Sequence, residues 1–309
     1  MSEIFQLVKR NKPIKKSRLG FLRLDKNERV SKFSSNFIKL FKKRLSSEHL
    51  NAYPEIYNFY KLLSKLHFIN KNYFLATAGI DSGLRNCIEL FGNKKKLFKN
   101  INKNTSLIVI SNPNSPTGTV LSVNEISNIL TLAKKHNIKV VIDEAYYGFC
   151  KITAVSLVKK FKNLIVLRTF SKAFGLAGLR VGYIATHPNN IKIFENIKAM
   201  YEVNSIAILA ANLLLENLDI KNKYLRDVNE GKKILINFFL KKRINFINCE
   251  GNFILFTLNK KKKIFLNKLK KNKIKIAENF SYKNLKNYSR VTLGPKKEML
   301  NFIKILKSY

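Results

Sequence analysis

Lysine becomes a useful nucleophile when it is sheltered and aimed. Lys172 follows an apolar run in the string Thr169-Phe-Ser171-Lys172-Ala-Phe-Gly-Leu-Ala-Gly-Leu-Arg180. Asp143 ends an earlier apolar run and opens Asp143-Glu-Ala-Tyr146, which sets a carboxylate and a phenol three residues apart. Thr169 and Ser171 add hydroxyls, and Arg180 adds a planar cation suited to clamping a phosphate. Upstream, Ala78-Gly79-Ile80-Asp81 precedes a helical stretch, so the amides of Ile80 and Asp81 could receive the same anion. The needs of one cofactor are met by all of these groups. It has an aldehyde for the lysine, a ring nitrogen that a carboxylate keeps protonated, a ring oxygen that needs a donor, and a phosphate. Pyridoxal 5′-phosphate (PLP) is that molecule. Lys172, Asp143 and Tyr146 would act at its ring, with Gly79, Ile80, Asp81, Thr169, Ser171 and Arg180 at its phosphate.

Each residue alone has an ordinary alternative. With 59 Lys and Arg in 309 residues, a single lysine is usually a solvated one. Asp143 could cap a helix, and Arg180 could form a surface ion pair. Their joint placement after buried strands favours the chemical reading, because open α/β sheets gather chemistry at the carboxyl ends of their strands.

The elements that must position them alternate strand and helix, predicting an α/β chain with a mostly parallel sheet. Ser106–Ser111 reads as a strand ending in the turn cluster NPNSPTG. Ser122 and Glu125 read as a capping box for a helix reaching His136. Lys139–Ile142 and Leu164–Leu167 read as buried strands. After Val203 the pattern is helical through Leu240. Phe246–Leu258, Lys260–Lys271 and Ser289–Leu293 then read as strand, helix and strand, with Lys260–Lys263 a solvated turn. The expected division is an N-terminal arm over 1–30, a large cofactor domain over 31–210 and a smaller α+β domain over 211–309.

Composition excludes several classes. The net charge of +40 comes mostly from lysines spread along the whole chain, as expected of ordinary surface residues rather than a nucleic-acid-binding patch. Cys87, Cys150 and Cys249 are too few and too scattered for a disulfide framework. The four histidines form no ligand pair, so no metal site is expected. No secretory signal is evident at the N-terminus, and the most apolar run, Ile206–Leu215, is too short to span a bilayer. A reducing cytoplasm is the expected location.

The strings NPNSPTG, IDEAYY and RTFSKAFGLAGLRVGY, in this order, resemble the class I/II aminotransferases of PLP fold type I, and most nearly those of the histidinol-phosphate aminotransferase kind. The resemblance extends to Leu24-Asp-Lys-Asn27-Glu28, Tyr53-Pro-Glu and Tyr288-Ser-Arg290-Val-Thr-Leu-Gly, and so covers nearly the whole chain. It implies amino-group transfer between an amino donor, either an amino acid or an amino-phosphate metabolite, and a 2-oxo acid. It also implies that Arg290 grips the substrate carboxylate and that Asn27 and Glu28 close over the substrate. Tyr53 would reach the phosphate site of a neighbouring subunit in a homodimer. Decarboxylation of a phosphorylated amino acid, or a degenerate homologue kept for binding or dimerisation, are the competing readings.

Three departures qualify the match. Ser115 stands where an Asn usually reaches the PLP 3′-oxygen, with Asn114 as its possible substitute, and Ile80 stands where Ser is common. Only fourteen residues, GNKKKLFKNINKNT, separate the helix ending near Phe91 from the strand at Ser106. Relatives carry a longer block there, including the aromatic that stacks on PLP, and Lys94–Asn102 resembles the helix that follows it. Looser cofactor binding and impaired turnover are therefore expected unless a ring such as Phe74 or Tyr147 takes over.

Overall fold

A computed structural model describes residues 17–92, 105–258, 262–278, 280 and 283–307. The expected helix over Lys94–Asn102 lies outside the described residues. The arm contributes β1 (Leu22–Leu24). Helices α1 (Ser35–Arg44), α2 (Glu48–Asn51) and α3 (Tyr57–His67) lead to β2 (Phe74–Thr77) and α4 (Ile80–Phe91). Next come β3 (Leu107–Ser111), α5 (Val123–Lys135), β4 (Lys139–Asp143), β5 (Leu164–Thr169), β6 (Gly182–Thr186) and α6 (Pro188–Glu195). The chain continues with α7 (Ser205–Glu216), α8 (Leu218–Lys241), β7 (Phe246–Asn248) and β8 (Phe253–Phe256). It closes with α9 (Lys262–Lys271), β9 (Ile274–Ile276), β10 (Ser289–Thr292) and α10 (Lys296–Lys307).

Strands β2-β6-β5-β4-β3 form the central sheet in that order. β3, β4 and β5 are parallel, while β6 runs antiparallel to both its neighbours. Alternate residues face opposite cores. Val140, Ile142, Leu164 and Val166 join the larger cluster, while Val141, Ile165 and Leu167 meet Cys87 and Phe194 on the other face. Both faces are covered, so these strands read as unbroken apolar runs rather than alternating ones. Each fully buried Val, Leu or Ile contributes roughly 1.5–3 kcal/mol. The expected capping box is present, with the Glu125 amide donating to Ser122 Oγ and the Ser122 amide to Glu125. Among the described residues β3 has a sheet neighbour on one side only, and Val109 is 46% exposed.

A second core gathers Phe239, Phe256, Phe265, Met299 and Phe302 around the antiparallel sheet β10-β8-β7. Leu24 of the arm is fully buried in it, and β1 pairs in parallel with β9. The arm is therefore built into the C-terminal packing. Two expectations need correction here. Phe246–Leu258 is not one strand but the hairpin β7–β8, broken at Cys249–Asn252. A Cβ at Gly251 would meet the Phe253 ring at 2.6 Å, so the reversal needs a glycine. Lys262 and Lys263 are no turn either, since they open α9. Among the described residues no helix is long and apolar enough to cross a membrane, and no group of His, Cys, Asp or Glu could hold a metal ion.

Candidate active site

Strand register brings the separate motifs to one end of the sheet. Ser111 of β3 pairs with Asp143 of β4, and Thr77, Gly182 and Thr169 lie side by side across β2, β6 and β5. The ends of β2 to β5 that lead into the motifs therefore share an edge with the start of β6. A Cβ at Gly182 would strike the Arg168 carbonyl at 2.5 Å and Gly79 at 3.1 Å, so this glycine lets the turn before α4 lie directly on β6. Gly79, with φ of 77°, occupies the left-handed region. A Cβ there would sit 2.8 Å from Arg180 Nη2, so Gly79 makes room for a guanidinium against the first turn of α4.

Arg180 donates to Asp81 at 2.8 Å and to Ser171 Oγ at 3.4 Å. The Ser171 amide and Thr169 Oγ1 are 3.0 Å apart, and the two hydroxyls 2.9 Å. A cation, two hydroxyls and the start of a helix thus surround a space kept open by a glycine, a cradle that fits a phosphate.

Lys172 Nζ donates to the carbonyl of Lys26 at 2.8 Å. Burial first, then the Arg290 and Arg180 cations, bring its amine down to about 8, against the opposing pull of Glu28 and Asp143. Burial likewise pushes the Asp143 carboxyl up to about 6, helped by Asp81 and Glu144 and opposed by the Ala145 amide and Lys172. A sheltered carboxylate with only one amide donor, at 2.9 Å, suits a cationic ring nitrogen. Tyr146 is 5% exposed and lies edge-on to Phe253. Its hydroxyl accepts from Asn27 Nδ2 at 2.8 Å, leaving its own proton to donate.

Arg290 donates to Ser115 Oγ at 3.1 Å and to the carbonyl of Asp25 at 3.0 Å, while its buried Nε has no partner. Successive carbonyls of the arm thus cap Arg290 and Lys172. Asn27, with φ of 54°, fixes this crossing. Its amide and side-chain oxygen both pair with Thr292 Oγ1, and its carbonyl accepts from Asn252. Glu28 accepts from Arg18 at 2.5 Å, and the same guanidinium holds Asp25.

The remaining expected residues are placed as follows. Asn114 spends its amide on Thr117 Oγ1 at 2.6 Å, so Ser115 is the member of that turn that reaches the site. Tyr53 stands on the surface, 71% exposed, with its ring stacked on Tyr201 at 3.7 Å. Neither Phe74 nor Tyr147 is free to cover a cofactor ring. Phe74 is buried against His67 and Tyr183, and the Arg168 guanidinium lies 3.4 Å from the Tyr147 ring centre. The sequence reading missed Glu202, which accepts from the Ala78 amide and from Ser82 at the start of α4, and Arg18, which ties down the arm.

The family model for aminotransferase class I and II matches residues 90–306. The chain belongs to that family. It is 35% identical over 207 residues to histidinol-phosphate aminotransferase 2 of Pasteurella multocida, a match covering 66% of this chain and 56% of that protein. The chain therefore spans little more than half the length of that relative. It is also 29% identical over 329 residues to a dihydroxyacetone phosphate transaminase of Campylobacter jejuni, covering 92% of this chain and 88% of that one. Among solved structures, histidinol-phosphate aminotransferase from Sinorhizobium meliloti, in complex with pyridoxal-5′-phosphate, superposes with a TM-score of 0.77 at 18% identity. That superposition covers 93% of this chain and 91% of the other. The architecture is that of the aminotransferase fold, a mostly parallel α/β sheet beside a smaller α+β unit.

Proposed function

We propose that this aminotransferase-family chain uses PLP to move an amino group between an amino donor and a 2-oxo acid. The observation that carries the reading is the convergence of Lys172, Asp143 and Arg180 on one sheet end, with Arg290 beside the lysine. Arg180, Ser171, Thr169 and the α4 amides would hold the phosphate, Asp143 the ring nitrogen and Tyr146 the ring oxygen. When bound, the cofactor supplies the electron sink that lets the substrate α-carbon lose its proton. Lys172 Nζ, poised near 8, takes that proton and returns it as acid. Arg290 receives the substrate carboxylate on the donors now given to Ser115 and Asp25. Before the substrate arrives, Ser115 steadies that guanidinium. Asn27 and Glu28 keep the arm across the site and exclude water.

The histidinol-phosphate aminotransferase relative supports a phosphorylated amine such as histidinol phosphate as donor, beside an ordinary amino acid. The exposed Tyr53 suits a homodimer in which it reaches the neighbouring subunit's phosphate. Three buried, unpaired cysteines suit the cytoplasm. The direct test is to add PLP, record the visible spectrum, reduce with borohydride and map the modified residue. A pyridoxyl group on Lys172 is expected. Labelling at another lysine, or none on folded protein, would reject the assignment.

The two arginines should separate by function. Arg290→Ala is expected to weaken amino-acid binding about 100-fold while leaving PLP content nearly unchanged, because charged hydrogen bonds contribute roughly 1.5–3 kcal/mol. Arg180→Ala should do the opposite and deplete PLP about tenfold or more. Equal cofactor loss in both variants would show that the roles are misassigned.

A further inference from the structure

The cradle for the cofactor phosphate already contains two carboxylates. Asp81 takes Arg180 Nη2 at 2.8 Å, the donor best placed to grip a phosphate. Glu202 reaches in from the loop before α7, where its Oε1 accepts from the Ala78 amide at 3.1 Å and from Ser82 Oγ. Its other oxygen, Oε2, is buried with no hydrogen-bond partner, and Lys198 is a cation within electrostatic reach of it. A carboxylate at the start of a helix gains from the same amide dipoles that would attract a phosphate. A phosphate arriving at α4 therefore meets donors already engaged, and a charge of its own sign nearby.

We infer that Glu202 and Asp81 act as resident anions, positioning residues that shape the cradle before the cofactor arrives and limit how tightly the phosphate is held. The inference rests on the PLP reading above. It predicts a cofactor that exchanges readily, with charge limiting the hold on its phosphate.

Glu202→Gln is the discriminating variant. A glutamine oxygen can accept the same two hydrogen bonds, so the clamp on Ala78 and Ser82 is kept while the negative charge is lost. PLP binding to the full chain, followed by absorbance titration, should tighten roughly threefold to tenfold. Binding of pyridoxal, which lacks the phosphate, should stay within about twofold of the unmodified protein. Asp81→Asn should tighten PLP by a smaller factor, about twofold, because that ion pair is exposed. It also serves as the second variant should Glu202→Gln fail to fold.

Tighter PLP with unchanged pyridoxal supports the inference. Unchanged or weaker PLP in both folded variants overturns it, making Glu202 a structural clamp only. An equal gain for pyridoxal overturns it as well, since the effect would not act through the phosphate. Failure of the unmodified chain itself to bind PLP would overturn the cofactor reading, and this inference with it.

Discussion

Replacing Lys172 with alanine is expected to abolish transamination, lowering turnover by roughly 10⁴-fold or more, and at the same time to stabilise the cofactor-free protein near neutral pH. The first effect follows from position. Lys172 is the amine that feels both Arg290 and Asp143, the position the proposed proton transfer requires. The second effect follows from linkage. Folding lowers the lysine from its ordinary 10.5 to about 8, chiefly by burial and then by Arg290. Between those two values the unfolded chain binds more protons than the folded one, so stability rises with pH across that window. Below about pH 8 the whole penalty of sheltering the ammonium is present. Alanine removes it, less the packing of the stem and the bond to Lys26, for a net gain of about 1–2 kcal/mol near pH 7. Thermal unfolding of both proteins without PLP, at about pH 7 and about pH 10, gives the check. A gain that is the same at both values, or absent at the lower one, would mean that the lysine is not strained as described. Loss of activity without loss of the borohydride label would move the catalytic role elsewhere.

Much of the candidate site's placement was legible because it follows directly from local strings. Asp143, Tyr146, Lys172 and Arg180 each sit within a few residues of an apolar strand, and parallel pairing then leaves them little choice but to share an edge. The capping box at Ser122 is equally local. What stayed hidden depends on distant partners or on which face a side chain takes. Glu202 meets Ala78 and Ser82 across more than a hundred residues, and nothing in Tyr201-Glu202-Val203 signals it. Phe74 and Tyr147 looked available as rings, yet strand and turn geometry points both into a polar pocket around Arg168 and His67. The break in Phe246–Leu258 was masked by its apolar composition. There Asn252 is fully buried because it serves the arm through Asn27. Arg290 was named by resemblance, and only the fold shows it reaching Ser115 across the interval between the two cores.

Arg168→Ala is expected to cost about 3–5 kcal/mol of stability, the usual result of removing one member of a buried ion pair. Arg168 is fully buried at the end of β5. It donates from Nε and Nη2 to Glu144 at 3.0 and 2.8 Å, and to Thr153 Oγ1 at 2.6 Å. The His67 ring and the Tyr183 hydroxyl complete the pocket, and burial beside Arg168 lowers His67 to about 2, so its imidazole stays neutral. Removing the guanidinium leaves Glu144 buried without its cation, with Thr153 and the Ala154 amide as its remaining donors. That carboxylate is also the chain neighbour of Asp143. Successive residues at a strand end point to opposite sides, so anchoring Glu144 inward turns Asp143 outward toward the lysine. Freed of Arg168, the Asp143–Glu144 turn should relax, and PLP affinity should fall along with stability. Urea unfolding of the cofactor-free chain measures the first loss, and a PLP titration well below the unfolding midpoint measures the second. A stability loss under about 1 kcal/mol would show that water reaches Glu144 and that the pocket is not the closed unit described. Full destabilisation with unchanged PLP affinity would separate the anchor from the site, leaving Asp143 held by the Ala145 amide alone.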